Sequence, residues 1–190
     1  EGGPRRILVV TTTMPAKNLA ILPRVARALA ELGARGVELV VTLSPEDGAR
    51  EMGLTHPAAD GKVVPGPVPV RCVGGVPHER LGDFYRSGAA VLVPSWVESF
   101  TAVYPEAWHF GLPVVTSELD FARDLCGAGA VYAPPDRPEA FARRILAVMD
   151  DVELRRSLRE AGRARLASLP TWDERFALYL AALEEARAFA

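Results

Sequence analysis

Short runs of β-branched residues, alternating with stretches of helical periodicity, constrain this chain more than any other feature. Arg6-Ile-Leu-Val-Val-Thr-Thr12 is an apolar, β-rich run of the kind buried in a parallel sheet. Leu19, Leu22, Val25, Ala26, Leu29 and Leu32 then recur at helical spacing, marking an amphipathic helix that ends at Gly33. Val37 to Leu43 is a second strand, so the chain opens as a right-handed strand–helix–strand unit. Prolines and glycines crowd residues 44–69, which read as a surface loop with a short helix near Glu46 to Met52 and a short strand at Lys62 to Val64. Beyond the loop the alternation resumes. Strands are expected at Val70 to Val73, Ala90 to Val93, Pro113 to Thr116 and Ala130 to Tyr132, with helices at Glu79 to Ser87, Val103 to Phe110 and Asp120 to Cys126. Three helices close the chain: Pro138 to Met149, Val152 to Ala167 and Thr171 to Ala188. The pattern implies an α/β domain with a parallel sheet covered on both faces.

In such sheets ligands bind beyond the carboxyl ends of the strands. The polar stretches Thr11 to Lys17, Gly74 to His78, Pro94 to Thr101 and Ser117 to Asp120 all fall there, which points to a pocket. Charge excludes other classes. With a net charge of -2 and scattered arginines, the chain has neither a basic surface for nucleic acid nor a polybasic patch for a membrane. No apolar run approaches the ~20 residues needed to span a bilayer. Cys72 and Cys126 lie far apart without metal-ligand spacing, and read as two buried thiols in a reducing cytoplasm rather than as a disulfide. The opening Glu1-Gly2-Gly3-Pro4 has no start methionine or signal core and reads as a cut or processed end. The three histidines, His56, His78 and His109, are dispersed, so no metal site is expected. His109 reads as a packed or capping residue, and His78 lies near the pocket.

Two acids stand out. Glu98 falls on the loop after the Ala90 strand, and Glu106 in the opening turns of the helix that follows. They have two readings. In one, Glu98 caps the helix and Glu106 favours its positive end. In the other, both face a ligand whose diphosphate rests on the free N–H groups of Phe100 to Val103. Lys17 is one of only two lysines among 22 basic residues, the other being Lys62. A helix start disfavours a solvated cation, so its position after the first strand suggests a bound anion.

The words around these residues decide between the readings. Pro94-Ser-Trp-Val-Glu-Ser-Phe100, then Glu106-Ala107, then Gly111-Leu-Pro-Val-Val-Thr-Ser117, resembles the glutamate-x-seven-glutamate signature of GT-B retaining glycosyltransferases, the large group called family four. The resemblance runs from about Arg5 to Leu183. It takes in Lys17-Asn18-Leu19, Val73-Gly-Gly-Val-Pro-His-Glu-Arg-Leu81, Glu118 to Cys126 and the closing Trp172 to Tyr179 helix. It implies a Rossmann-like domain, one half of a GT-B fold, here a single nucleotide-sugar-binding domain over residues 1–190. The implied activity is a cytoplasmic, hexosyltransferase-type transfer of sugar from a nucleoside diphosphate, with retention and no metal or other cofactor. Glu98 would hold hydroxyls of the donor sugar, and Lys17 would neutralise the leaving diphosphate. Glu106 would accept from the ribose hydroxyls. Ser99, Phe100 and Thr101 would lie along sugar and phosphate, with Val73 and Gly74 against the base.

Two positions depart from the family pattern. Thr12 stands where a second cation is usual, five residues before Lys17, and Thr101 replaces a glycine. The family also has a second, N-terminal domain that binds the acceptor. Its absence here implies a fragment that binds donor but does not transfer sugar, any contact with a membrane coming only through the full-length enzyme. Trp96, Trp108 and part of the closing helix are expected to form an apolar patch. The alternatives are a non-catalytic nucleotide-binding or interaction module that has kept the fold, or an unrelated flavodoxin-like domain. The latter leaves the glutamate words unexplained.

Overall fold

A computed structural model describes residues 3–54 and 61–188. Seven strands form one sheet: β1 Arg5–Val9, β2 Val37–Val41, β3 Lys62–Val64, β4 Val70–Cys72, β5 Ala90–Val93, β6 Val114–Ser117 and β7 Ala130–Ala133. Their spatial order is β3-β4-β2-β1-β5-β6-β7. Eight α-helices are described: α1 Leu22–Glu31, α2 Pro45–Glu51, α3 Leu81–Arg86, α4 Val103–His109, α5 Asp120–Cys126, α6 Pro138–Asp150, α7 Val152–Ala167 and α8 Trp172–Ala188. The strand and helix positions read from the sequence hold to within a few residues. His56 lies outside the described residues.

The parallel sheet between two helical layers is as expected, with one exception at its edge. β3 runs antiparallel to β4 at the edge, while the other neighbours pair in parallel. The cause is the connection. Only Pro65 to Pro69 joins the two strands, and a parallel pair needs a crossover of a dozen residues or more.

The alternation of side chains across the sheet sorts the core into two layers. Ile7, Val9, Leu39, Val41 and Leu92 face one side, packing with Leu22, Val25 and Leu29 of α1 and Phe141 and Ile145 of α6. Leu8, Val40, Val91 and Val114 face the other, against Tyr85 of α3, Tyr104 and Trp108 of α4 and Cys126 of α5. At roughly 25 cal/mol per Å² of apolar surface removed from water, these two layers dominate the stability of the fold. The α8 helix stands apart from both. Trp172 is 85% exposed, and Phe176, Leu178, Tyr179 and Leu183 are exposed as well. The expected apolar patch is therefore corrected in part, since Trp96 and α8 are exposed but Trp108 is a core residue.

The order in which the chain adds strands reverses at β1, whose neighbours are β2 on one side and β5 on the other. A crevice forms at such a reversal, beyond the carboxyl ends of the strands. The loops after β1, β2, β4 and β5 line it.

Candidate functional site

The cleft at this reversal has a volume of about 720 Å³. Thr11, Thr12, Thr13 and Lys17 after β1 form one wall, and Glu98, Phe100 and Thr101 after β5 another. Thr42 to Ser44, Asp47, Gly75, Val76 and Glu106 of α4 also line it.

Lys17 and Glu98, 81 positions apart, meet in its lining. The Lys17 ammonium donates to both carboxylate oxygens of Glu98, at 2.7 and 2.9 Å. The side chains are 19% and 8% exposed, and Ser95 Oγ donates to Glu98 Oε1 at 2.7 Å. A pair this shielded keeps its geometry better than a surface ion pair does. The local chain explains how Lys17 is aimed. Pro15–Lys17 form one 3-10 turn, closed by Asn18 in the left-handed conformation at φ 54°. Asn18 is the one described non-glycine residue with positive φ, a conformation that asparagine tolerates better than most residues. Its Nδ2 donates to the carbonyls of Pro94 and Pro135, at 2.9 and 2.8 Å. The Ala16 carbonyl accepts from Trp96 N–H at 2.8 Å. The β1 loop is thus fastened to the β5 and β7 loops on both sides of Lys17.

Glu98 does not cap α4, which removes one of its two readings. The N-cap is Ala102, and the hydroxyl of buried Thr101 accepts from Val103 N–H at 3.3 Å. The N–H groups of Phe100, Thr101 and Ala102 have no acceptor among the described residues. Glu106, in the first turn of α4, accepts a 2.6 Å hydrogen bond from Tyr85 Oη. Burial, with Glu106 beside it, raises the Tyr85 phenol well above its ordinary pKa, so the phenol stays protonated as a donor. Among the described residues that line the cleft, Lys17 is the one cation, against the carboxylates of Asp47, Glu98 and Glu106.

The structure therefore brings Thr12, Lys17, Glu98, Phe100, Thr101 and Glu106 to one cleft. It does not bring Ser99, Val73 or Gly74 into its walls. Val73 lines an adjoining groove of about 460 Å³ over β2 and β4, and the N–H groups of Val73 and Gly74 donate to Val41 and Leu43 carbonyls. Gly75 and Val76 border both spaces. His78 is exposed and outside the cleft, and His109, expected to be packed or capping, is exposed with its ring edge-on to Phe110. The Ser117 to Asp120 stretch also stays out of the walls. Sequence reasoning missed Tyr85, which reads as one more apolar helix residue, and Ser95 and Asn18 as supports. Both thiols are free and buried as expected, and burial pushes Cys72 up to about 11 and Cys126 up to about 12.

Comparison with known proteins agrees with this architecture. Residues 67–165 match the family described as glycosyl transferases group 1. A D-inositol 3-phosphate glycosyltransferase of Nocardiopsis dassonvillei is 32% identical over 172 residues, covering 87% of this chain and 38% of that protein. D-inositol 3-phosphate glycosyltransferase 1 of Catenulispora acidiphila is 34% identical over 117 residues, 58% of this chain and 28% of its own length. Among solved structures, an alpha,alpha-trehalose-phosphate synthase (UDP-forming) from Burkholderia vietnamiensis superposes on 98% of this chain with a TM-score of 0.75 at 19% identity, using 45% of its own chain. Sucrose-phosphate synthase from Thermosynechococcus elongatus also matches 98% of this chain, with a TM-score of 0.71 at 24% identity and 46% of its own chain. This chain thus spans between 28% and 46% of the length of these proteins. The chain therefore belongs to the group 1 glycosyltransferases and folds as one Rossmann-like half of the GT-B architecture.

Proposed function

We propose that the cleft is the donor site of a retaining, hexosyl-transferring glycosyltransferase, and that this chain is the half that binds the nucleoside-diphosphate sugar. One observation carries the reading: a fastened lysine, the carboxylates of Glu98 and Glu106, and three N–H groups with no acceptor among the described residues line a single cleft at the sheet reversal. When the bond from the sugar's anomeric carbon to the diphosphate breaks, negative charge grows on the departing oxygen. Lys17 and the Phe100 to Ala102 N–H groups would supply the opposing field there, already oriented, and the reading requires no metal. Glu98 would exchange part of its bond to Lys17 for hydroxyls of the sugar. Glu106, a pure acceptor, suits the ribose. The acceptor site belongs to a second half resembling the remaining length of the relatives, so this chain alone would bind donor without transferring sugar. Two buried free thiols favour a reducing, cytoplasmic setting. Among the described residues no helix is long and apolar enough to cross a membrane.

Thr12 favours a second reading, a module that binds nucleotide without catalysis. It is exposed where the family usually has a cation, and leaves Lys17 in a cleft lined by three carboxylates. Calorimetric titration with UDP, GDP and ADP tests the first reading. One of the three is expected to bind, and Glu106→Ala to weaken it at least about tenfold, as loss of hydrogen bonds to a charged group implies. Failure of all three to bind would overturn the donor-site reading for this chain. Acceptor-dependent transfer by the purified chain would contradict the half-enzyme assignment.

A further inference from the structure

We infer that Tyr85 is a positioning residue that fixes the Glu106 carboxylate so that the site reads ribose and discriminates against deoxyribose. The inference rests on the donor-site reading above. Tyr85 is fully buried and absent from the cleft walls, so it reaches a ligand only through Glu106. Its ring is held in place, stacked on Phe110 with centroids 5.3 Å apart and planes within 10°, and edge-on to Phe84 at 6.5 Å. The hydroxyl sits 2.6 Å from Glu106 Oε2.

Three consequences follow from that geometry. First, a glutamate side chain on the first turn of a short helix ordinarily samples several rotamers, and ordering it on binding costs entropy. Anchoring one oxygen to a rigid ring removes most of that cost beforehand. Second, with Oε2 engaged, Oε1 is the oxygen left to accept from a ligand hydroxyl, which narrows recognition to one direction. Third, the anchor is neutral. An arginine in its place would cancel the charge on Glu106, whereas a phenol leaves the carboxylate a full-strength acceptor. A buried phenol facing a carboxylate has no purpose in core packing that phenylalanine would not serve.

The readout is a selectivity, which a merely structural residue would not alter. The wild-type chain is titrated with whichever of UDP, GDP or ADP it binds, and with the 2′-deoxy and 3′-deoxy forms of the same nucleotide. It is expected to prefer the ribonucleotide. Tyr85→Phe keeps the stack on Phe110 and removes one hydrogen bond, so the ribo-to-deoxy affinity ratio is expected to fall about fivefold, mostly through loss of ribonucleotide affinity. Phe110→Leu disturbs the same stack without touching the hydroxyl, and should leave the ratio nearer wild type than Tyr85→Phe does. If Glu106→Ala lowers the ratio but Tyr85→Phe leaves it unchanged, the positioning role is overturned and the donor site stands. If the wild type shows no preference, or Glu106→Ala leaves the preference intact, the ribose role of Glu106 fails and this inference fails with it.

Discussion

Trp108→Ala is expected to destabilise the domain by about 3–5 kcal/mol, as truncation of a buried tryptophan does. Trp108 is 3% exposed, stacks on Tyr104 with centroids 6.1 Å apart, and donates from Nε1 to the Gly129 carbonyl at 3.1 Å. It is also the surface on which α7 rests. A Cβ at Gly162 would stand 2.3 Å from Trp108 Cδ1, so α7 approaches only because position 162 carries no side chain. Removing the indole empties this contact and orphans a buried carbonyl, two costs that add. For a domain of this size each kcal/mol moves Tm by about 2–4 °C, so thermal unfolding followed by circular dichroism should show a fall of about 10 °C. Gly162→Val, which overfills the same contact, should lower Tm as well. A Trp108→Ala protein melting within about 2 °C of wild type would contradict the packing of α4 between sheet and α7. The site depends on that packing, since α4 also carries Glu106.

Lys17→Ala should weaken nucleoside-diphosphate binding about a hundredfold, with a smaller loss for the corresponding monophosphate. Two unit charges about 4 Å apart at a protein surface interact by about 4 kcal/mol, and a hundredfold change in Kd corresponds to about 2.7 kcal/mol. The gap is the cost of drawing Lys17 partly away from Glu98. The substitution acts twice, because it removes the cleft's cation and leaves a carboxylate with 8% exposure facing the incoming phosphate. Lys17→Ala combined with Glu98→Gln should therefore recover part of the lost affinity, a non-additivity expected of residues in direct contact. Calorimetry on the two variants checks both. A Kd changed less than about threefold by Lys17→Ala would show that the diphosphate is held elsewhere.

Much of this architecture is legible in the sequence, and the reason is burial. Strands covered on both faces are written as continuous apolar runs, so β1, β2, β5 and β6 are found by composition alone. Direction is harder, because Lys62 to Val64 reads the same parallel or antiparallel. The five-residue link to β4 carried the answer. The glutamate words placed Glu98 and Glu106 on the cleft, and Lys17 followed from the loop after β1. What pattern could not give is which charges pair. Lys17 and Glu98 are each expected to face a ligand, and in the structure they face each other. Nothing in a local window links residues 81 positions apart. Tyr85 was hidden for a related reason: its ring fits the apolar helix pattern, and its hydroxyl finds its partner on another helix. Asn18 was more accessible, since an asparagine between two turns is a common left-handed residue. Thr101 illustrates the reverse case, a departure from the family glycine whose side chain turns inward and serves α4.

The donor-site assignment is tested most directly by following backbone amide resonances of the chain during titration with the nucleoside diphosphate it binds. Shifts concentrated in Thr11 to Lys17, at Gly75 and Val76, and in Phe100 to Glu106 are the predicted result. Shifts confined to the adjoining groove of Arg6, Arg71 and Arg80, or to α8, would contradict the claim that the cleft at the sheet reversal is the donor site.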